Sequence, residues 1–234
     1  DWHTYYGGAH AGSWTYGIPE IHGTREKIYG STRVANPGCY ATSIELGLAP
    51  LLAANAVDAK DIIVVAASGT SGAGRGAKVN LLNSEVAGSM SAYKVGGTHQ
   101  HTPEIEQTLS KLAGTEVQIN FTPMLAPMPR GILATISAKT ELGGAQLREV
   151  MSKYFEGEAF VTVLPEGQLP VTASTLGSNA VHIQVVKDDR TNRATVIVAI
   201  DNLIKGAAGQ AVQNANLICG YPETAGLTAI GVAP

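Results

Sequence analysis

The chain has 234 residues, 44% of them hydrophobic and only 15% charged, with a formal net charge of −3. That composition provides for a sizeable core and excludes wholesale disorder, and the lack of basic runs excludes nucleic acid as a partner. No apolar run approaches the ~20 residues of a membrane span, so no membrane role is expected.

The first residues, Asp-Trp-His-Thr-Tyr-Tyr, do not resemble a signal peptide, and Asp1 in place of methionine marks either processing or a piece of a longer chain. Residues 1–38 are rich in Gly, Tyr and His and show no sustained period, which predicts irregular structure. Ile28-Tyr29 and Arg33-Val34-Ala35 are expected as short extended pieces, and His3, His10 and His22 as surface or packing histidines.

Asn36-Pro37-Gly38 is turn chemistry, because proline fixes φ and glycine accepts conformations other residues avoid. From Tyr40 to Asn55 the apolar residues Ile44, Leu46, Leu48, Leu51 and Leu52 predict a buried helix, with Cys39 at or just before its first turn. Helix N-termini offer unpaired N–H groups and a partial positive charge, which favour thiolate and lower a cysteine pKa. Cys39 is therefore a candidate nucleophile, its alternative being a buried free thiol packed as a small hydrophobe. The only other cysteine, Cys219, is far away in sequence and is expected to pack inertly. Two distant cysteines point to a reducing, cytoplasmic setting.

Asp61 to Ala67 is a short β-branched run expected as an interior strand. It opens into Ser-Gly-Thr-Ser-Gly-Ala-Gly-Arg-Gly-Ala-Lys, residues 68–78, whose amides, with Ser71, Arg75 and Lys78, are candidates for cradling a phosphate; a flexible surface loop is the alternative. The run matches neither the P-loop nor the dinucleotide fingerprint, since Arg75-Gly76 follows Gly74 and Ala77 stands where a glycine is required. Thr102 as N-cap, Pro103 and acidic residues then start a helix to about Ala113, placing His99 and His101 on the loop just ahead of it. A histidine acid/base fits that pair better than a metal, for which no third ligand is apparent.

Beyond it, Val117–Leu125 and Gly131–Thr140 are expected strands joined by a loop with the lone cation Arg130. Leu142–Phe155 is an amphipathic helix, Phe160–Leu164 a strand, Val181–Lys187 and Ala194–Ile200 a hairpin, and Leu203–Ile218 a last helix. Strands outnumber helices without regular alternation, so the fold class is α+β.

Together, Asn-Pro-Gly-Cys39, the Ser-Gly-Thr-Ser-Gly-Ala-Gly-Arg loop, His99-Gln-His-Thr-Pro-Glu-Ile and Lys205-Gly-Ala-Ala-Gly-Gln-Ala-Val-Gln-Asn closely resemble the N-acetyl-γ-glutamyl-phosphate reductase family across essentially the whole chain. The resemblance implies NADPH-dependent reduction of an acyl phosphate through a cysteine thioester, in arginine biosynthesis. It assigns the nucleophile to Cys39 and the acid/base and substrate-binding roles to His99 and His101, in either order. Cofactor contacts are expected at Ser71, Gly72 and Asn202, and substrate or phosphate contacts at Asn36, Arg75 and Gln100; the family often has a basic residue where Gln100 stands.

The implied fold is a mostly antiparallel sheet with helices on one face, like the second domain of glyceraldehyde-3-phosphate dehydrogenase. Residues 1–200 would form the catalytic and dimerisation domain. Residues 201–234 would form a helix and tail that pack on an NADP-binding Rossmann domain, for which this chain has no strand–glycine–helix opening. A homo-oligomer, dimer or tetramer, is implied. The alternatives are a 2-aminoadipyl-phosphate reductase of lysine biosynthesis, a Cys-His hydrolase that resolves the thioester with water, and a catalytically silent assembly module.

Overall fold

In the computed structural model, which describes residues 2–232, the N-terminal stretch is a strap of short elements. It carries α1 (Trp2–Tyr5), β1 (Thr15–Tyr16), α2 (Arg25–Tyr29) and β2 (Val34–Ala35), and β1 pairs with β2 in parallel. The extended piece expected at Val34-Ala35 is present, but Ile28 and Tyr29 end a helix instead. Ile28 is the buried anchor of that single turn, which is too short to show a period in sequence.

Helix α3 (Cys39–Ala53) follows Gly38, whose extended backbone ends the turn begun at Pro37. Ile44, Leu46, Leu48 and Leu51 are all fully buried, as a helix that is apolar all round must be. Next come β3 (Ile62–Ser68), 3₁₀ turns at Thr70–Ala73 and Val79–Leu81, α4 (Asn83–Val86) and β4 (Ser91–Ala92). They lead to α5 (His101–Ala113), β5 (Ile119–Leu125), β6 (Ile132–Lys139), α6 (Gly144–Tyr154) and β7 (Val161–Val163). The hairpin β8 (Val181–Asp188) and β9 (Arg193–Ile200) forms as expected, and a π-helical turn, Ile204–Ala208, introduces α7 (Gly209–Cys219).

The large sheet has the order β4-β5-β3-β6-β9-β8-β7, antiparallel except at the β5/β3 and β7/β8 pairs. The α+β class and the one-sided arrangement of helices match the expectation. One row crosses the sheet through Phe121, Val64, Ile136, Val196 and Val185, each at most 2% exposed. Burial of each such side chain stabilises the fold by about 1.5–3 kcal/mol. The opposite face is open: Ile63 is 45% and Val65 39% exposed. β3 is thus interior by its two neighbours, yet only one of its faces is covered.

The strap is tied to the C-terminal segment by buried charge. Lys205 Nζ donates to Glu20 Oε1 at 2.5 Å and to Gln213 Oε1 at 2.8 Å, with Lys205 and Glu20 both fully buried. Glu158 and Glu223 converge on Glu20, and Arg25 bridges those two at 2.5 and 2.9 Å. His22 stacks on Tyr154, in line with a packing role. Cys219 closes α7 before Gly220 and is exposed, so the packing expected of it does not occur. Among the described residues no helix is long and apolar enough to cross a membrane.

Candidate active site

Cys39 is the first residue of α3, and backbone N–H groups of Tyr40 and of Cys39 itself face its sulfur. The π-helical turn packs on it: a Cβ on Gly206 would lie 2.6 Å from Cys39 Cβ, so only glycine passes there. π-turns recur at functional sites because they set one backbone segment out of helical step.

Both histidines reach the same place, but not as the cap pattern predicts. α5 begins at His101, two residues before the proline, with Gln100 as an N-cap whose side chain makes no capping bond. His101 therefore rides on the first helical turn, and His99 sits just before it. The His101 ring occupies the space a Cβ on Gly38 would need, with Nε2 nearest, so any side chain at residue 38 would displace the ring. His101 Nδ1 is buried and has no partner among the described residues. His99 is different: its Nδ1 accepts the His101 backbone N–H at 3.1 Å, which leaves the proton on Nε2. It is 3% exposed and wedged between Tyr40, Phe121 and His101.

Burial dominates the electrostatics. It pushes the Cys39 thiol up to about 11, against the pull of the Tyr40 and Cys39 N–H groups and with help from the Glu104 charge. The lowered thiol pKa expected at a helix N-terminus is therefore reversed, because desolvating a thiolate costs more than two N–H dipoles return. Burial, then the neighbouring His101 and Lys94, brings His99 down to about 3. Burial and Lys94 bring His101 down to about 4. Thiol and imidazoles are all neutral at pH 7.

Cys39, His99, Gln100 and His101 line one pocket of about 490 Å³ together with Tyr93, Lys94, Ser68, Gly72 and Lys78. Gln100 Oε1 accepts Lys94 Nζ at 2.5 Å. Arg75 is exposed and outside the lining, so the cations at the pocket are Lys78 and Lys94. Asn36 donates to Ala207 O at 3.1 Å and accepts from Asn214 at 3.0 Å, which fixes the turn to the C-terminal segment rather than lining the pocket. Asn202 is a buried strut: it donates to Ser71 Oγ at 3.0 Å and accepts the Gly131 N–H at 2.7 Å.

The glycine loop is not an open nest of amides. The N–H groups of Gly69, Thr70 and Ser71 donate to the carbonyls of Gly131, Met128 and Pro129. What faces the pocket there is small residues, Gly69, Gly72 and Ala73. Tyr93 and Lys94 open the segment that carries the histidines, but the sequence assigned them no role; their signal was that position.

This fold, with a cysteine and two histidines at the edge of a one-sided sheet, is that of the semialdehyde dehydrogenases. The family model described as "Semialdehyde dehydrogenase, dimerisation domain" matches residues 39–202. Among solved structures, aspartate semialdehyde dehydrogenase II from Vibrio cholerae aligns with a TM-score of 0.68 at 18% identity, over 87% of this chain and 67% of that one. A probable aspartate-semialdehyde dehydrogenase from Pseudomonas aeruginosa aligns at 0.69 and 18%, over 92% and 71%; these likenesses concern the fold. Relatives named N-acetyl-gamma-glutamyl-phosphate reductase are far more similar in sequence: 58% identical in Acidothermus cellulolyticus and 59% in Frankia casuarinae, each over 100% of this chain and 68% of the relative. The chain belongs to the N-acetyl-γ-glutamyl-phosphate reductase family.

Proposed function

We propose that this chain carries the thiol chemistry of an NADPH-dependent N-acetyl-γ-glutamyl-phosphate reductase, acting in arginine biosynthesis. The observation that carries the proposal is the contact between His101 and Gly38, which sets Nε2 beside the turn that delivers Cys39. As Cys39 Sγ attacks the acyl-phosphate carbonyl, His101 Nε2 takes the thiol proton, phosphate leaves, and a thioester remains on Cys39. A neutral imidazole is the form needed for that transfer, and the low His101 pKa keeps it available. The N–H groups at the start of α3 stabilise the carbonyl oxygen as negative charge develops on it.

A nicotinamide cofactor, when bound, supplies the hydride that reduces the thioester to the aldehyde level. The residues present fit such a ring: Gly69, Gly72 and Ala73 leave a wall free of bulk in the same pocket as Cys39. Gly72 would meet it from that side, with Asn202 bracing the loop beneath through Ser71. Lys78, Lys94 and Gln100 line the pocket where the phosphate of the substrate would be met, with Asn36 fixing the turn beneath. Arg75 would contribute only from the solvent side. His99, with Nδ1 already engaged, would bind substrate through Nε2–H rather than move the proton.

Residues 1–200 would serve as catalytic and dimerisation domain, the open sheet face with Ile63 and Val65 forming the homo-oligomer interface. The 201–234 segment exposes Leu203, Val212 and Ile218, apolar residues suited to packing on a nucleotide-binding domain. Hydride transfer is expected to be crippled in the chain alone, so the test, with the NADP-binding domain supplied, is NADPH oxidation dependent on N-acetyl-γ-glutamyl phosphate, with phosphate released in step. Cys39→Ser is expected to abolish it with the fold intact, and turnover near wild type in that variant would overturn the proposal.

A further inference from the structure

Behind the Gly38–Cys39 turn lie two carboxyl groups that the proposed chemistry does not use, one fully buried and one partly so. Glu45 is on α3, the helix that begins with Cys39; Glu104 is on α5, three residues after His101. One tyrosine joins them: Tyr16 Oη lies 3.0 Å from Glu45 Oε1 and 2.8 Å from Glu104 Oε1. Glu104 Oε1 also accepts the Gly38 N–H at 2.9 Å.

A count of protons decides the arrangement. The tyrosine hydroxyl has one proton and can donate to one carboxylate only. If both glutamates were ionised, the second contact would set two oxygens together with no proton between them. One glutamate must therefore be an acid that donates to Tyr16. Glu104 has an independent donor in the Gly38 N–H, which favours the anion there. Glu45 has no backbone donor: the one other hydroxyl beside it, that of Thr108, also reaches the Glu104 carbonyl at 3.1 Å, and Glu45 is 0% exposed with an Oε2 that has no partner among the described residues. A neutral carbonyl oxygen tolerates that far better than half a carboxylate.

We infer that Glu45–H, Tyr16 and the Glu104 carboxylate form a single-proton chain, Glu45–H to Tyr16 O–H to Glu104 to H–N of Gly38, which positions the turn that presents Cys39. These are positioning residues, since none of them lines the Cys39 pocket. The groups facing the chain are the Thr108 hydroxyl from α5 beside Glu45, the Cys39 thiol and the Tyr6 phenol, both near Glu104. Electrostatics agree with the proton count. Burial and the Glu104 charge push Glu45 well above the carboxylate range. Burial raises Glu104 too, but Gly38 N–H and Tyr16 draw it back. The device fixes the turn with a charge whose field also bears on the sulfur, so its proton must stay on the far side of Tyr16.

The inference relies on the proposed function only for the meaning of Cys39, and its test uses the unliganded chain without substrate or cofactor. Infrared difference spectra should show the carbonyl stretch of a protonated buried carboxyl that persists from neutral into mildly alkaline pH. Glu45→Gln should remove the band, because its amide replaces the acid as donor to Tyr16. Glu104→Gln should retain it. Iodoacetamide labelling of Cys39 against pH gives the second readout. Glu45→Gln should superimpose on wild type, whereas Glu104→Gln, lacking the charge beside the thiol, should label several-fold faster at a fixed pH. Absence of the band in wild type overturns the inference without any variant having to fold. So does its loss in Glu104→Gln alone, or a labelling shift in Glu45→Gln as large as that in Glu104→Gln. Failure of the chain to react with the acyl phosphate would instead count against the proposed function and leave these readouts unchanged.

Discussion

The His101 imidazole fills the space that a Cβ on Gly38 would occupy, so the residue before the cysteine and the histidine of α5 form a matched pair. Gly38 has φ −71° and ψ 153°, a conformation alanine adopts without strain. Gly38→Ala should therefore leave the fold intact and displace the ring. Loss of a positioned acid/base lowers turnover by about 10²–10⁴, and a fall of that order at unchanged melting temperature is expected; turnover within a few-fold of wild type would separate the ring from the chemistry.

Acid should affect this site late. A general base must be neutral to accept the thiol proton, and His101 stays neutral down to about 4 rather than 6.5. The acid limb of kcat/KM, which reports the free enzyme, is expected near pH 4, with His101→Ala removing it. The stability sign is separate: between 6.5 and about 4 the unfolded chain takes up a proton that folded His101 refuses. The contribution of His101 to stability therefore declines as pH falls through that window. Urea titrations at several pH values measure it.

The thiol runs the other way. With Cys39 held up to about 11, alkylation of the unliganded chain should be slow at pH 7 and rise about tenfold per pH unit toward 11. Exposed Cys219 provides the reference rate in the same sample. Labelling of Cys39 that is already maximal at neutral pH would show a stabilised thiolate, contrary to the burial seen here.

Lys205 and Glu20 bind the strap to the segment that supports Cys39. Lys205→Met leaves a carboxylate uncompensated in the core, which costs about 3–5 kcal/mol. The double variant Lys205→Met/Glu20→Met should recover most of that loss. Burial alone would raise the Glu20 pKa, but the Lys205 charge and the hydrogen bonds from Lys205, Gln213 and the backbone together outweigh it, and the net shift is downward. Its stabilising contribution is thus present above the ordinary glutamate pKa and lost as pH falls below it. Chemical denaturation of the two variants checks both statements.

The central strand β3 was legible from its β-branched run, and α3 from its apolar spacing, because both signals are local. What joins them was not. The parallel pairing of β3 with β5, across the intervening α5, leaves no short-range mark, and it separates β5 from β6 although they are neighbours in sequence. Cys39 and the two histidines were found because each sits on a turn or cap with its own chemistry. The start of α5 was misplaced since Thr102-Pro103 makes a persuasive cap, yet proline is also tolerated within the first turn. Glu45 did leave a trace, a lone acid in an otherwise apolar helix, but Tyr16 and Glu104, which explain it, lie 29 and 59 positions away. The thiol pKa was beyond reach because dipoles follow from sequence position while desolvation depends on the whole fold.

The exposed row on β3 makes an oligomer prediction. Val65→Lys places a charge at the middle of the open sheet face without touching the covered one, so stability should change by less than about 0.5 kcal/mol. Light scattering should report a smaller species than wild type. An unchanged oligomer would move the interface elsewhere.

The central claim, that Cys39 attacks an acyl phosphate with His101 taking its proton, is tested most directly by intact-mass analysis after mixing the chain with N-acetyl-γ-glutamyl phosphate and no cofactor. The account predicts one equivalent of phosphate released and an N-acetylglutamyl adduct on Cys39. The adduct should be absent in Cys39→Ser and slow to form in His101→Ala. Phosphate release without an adduct, or an adduct that persists in Cys39→Ser, would contradict it.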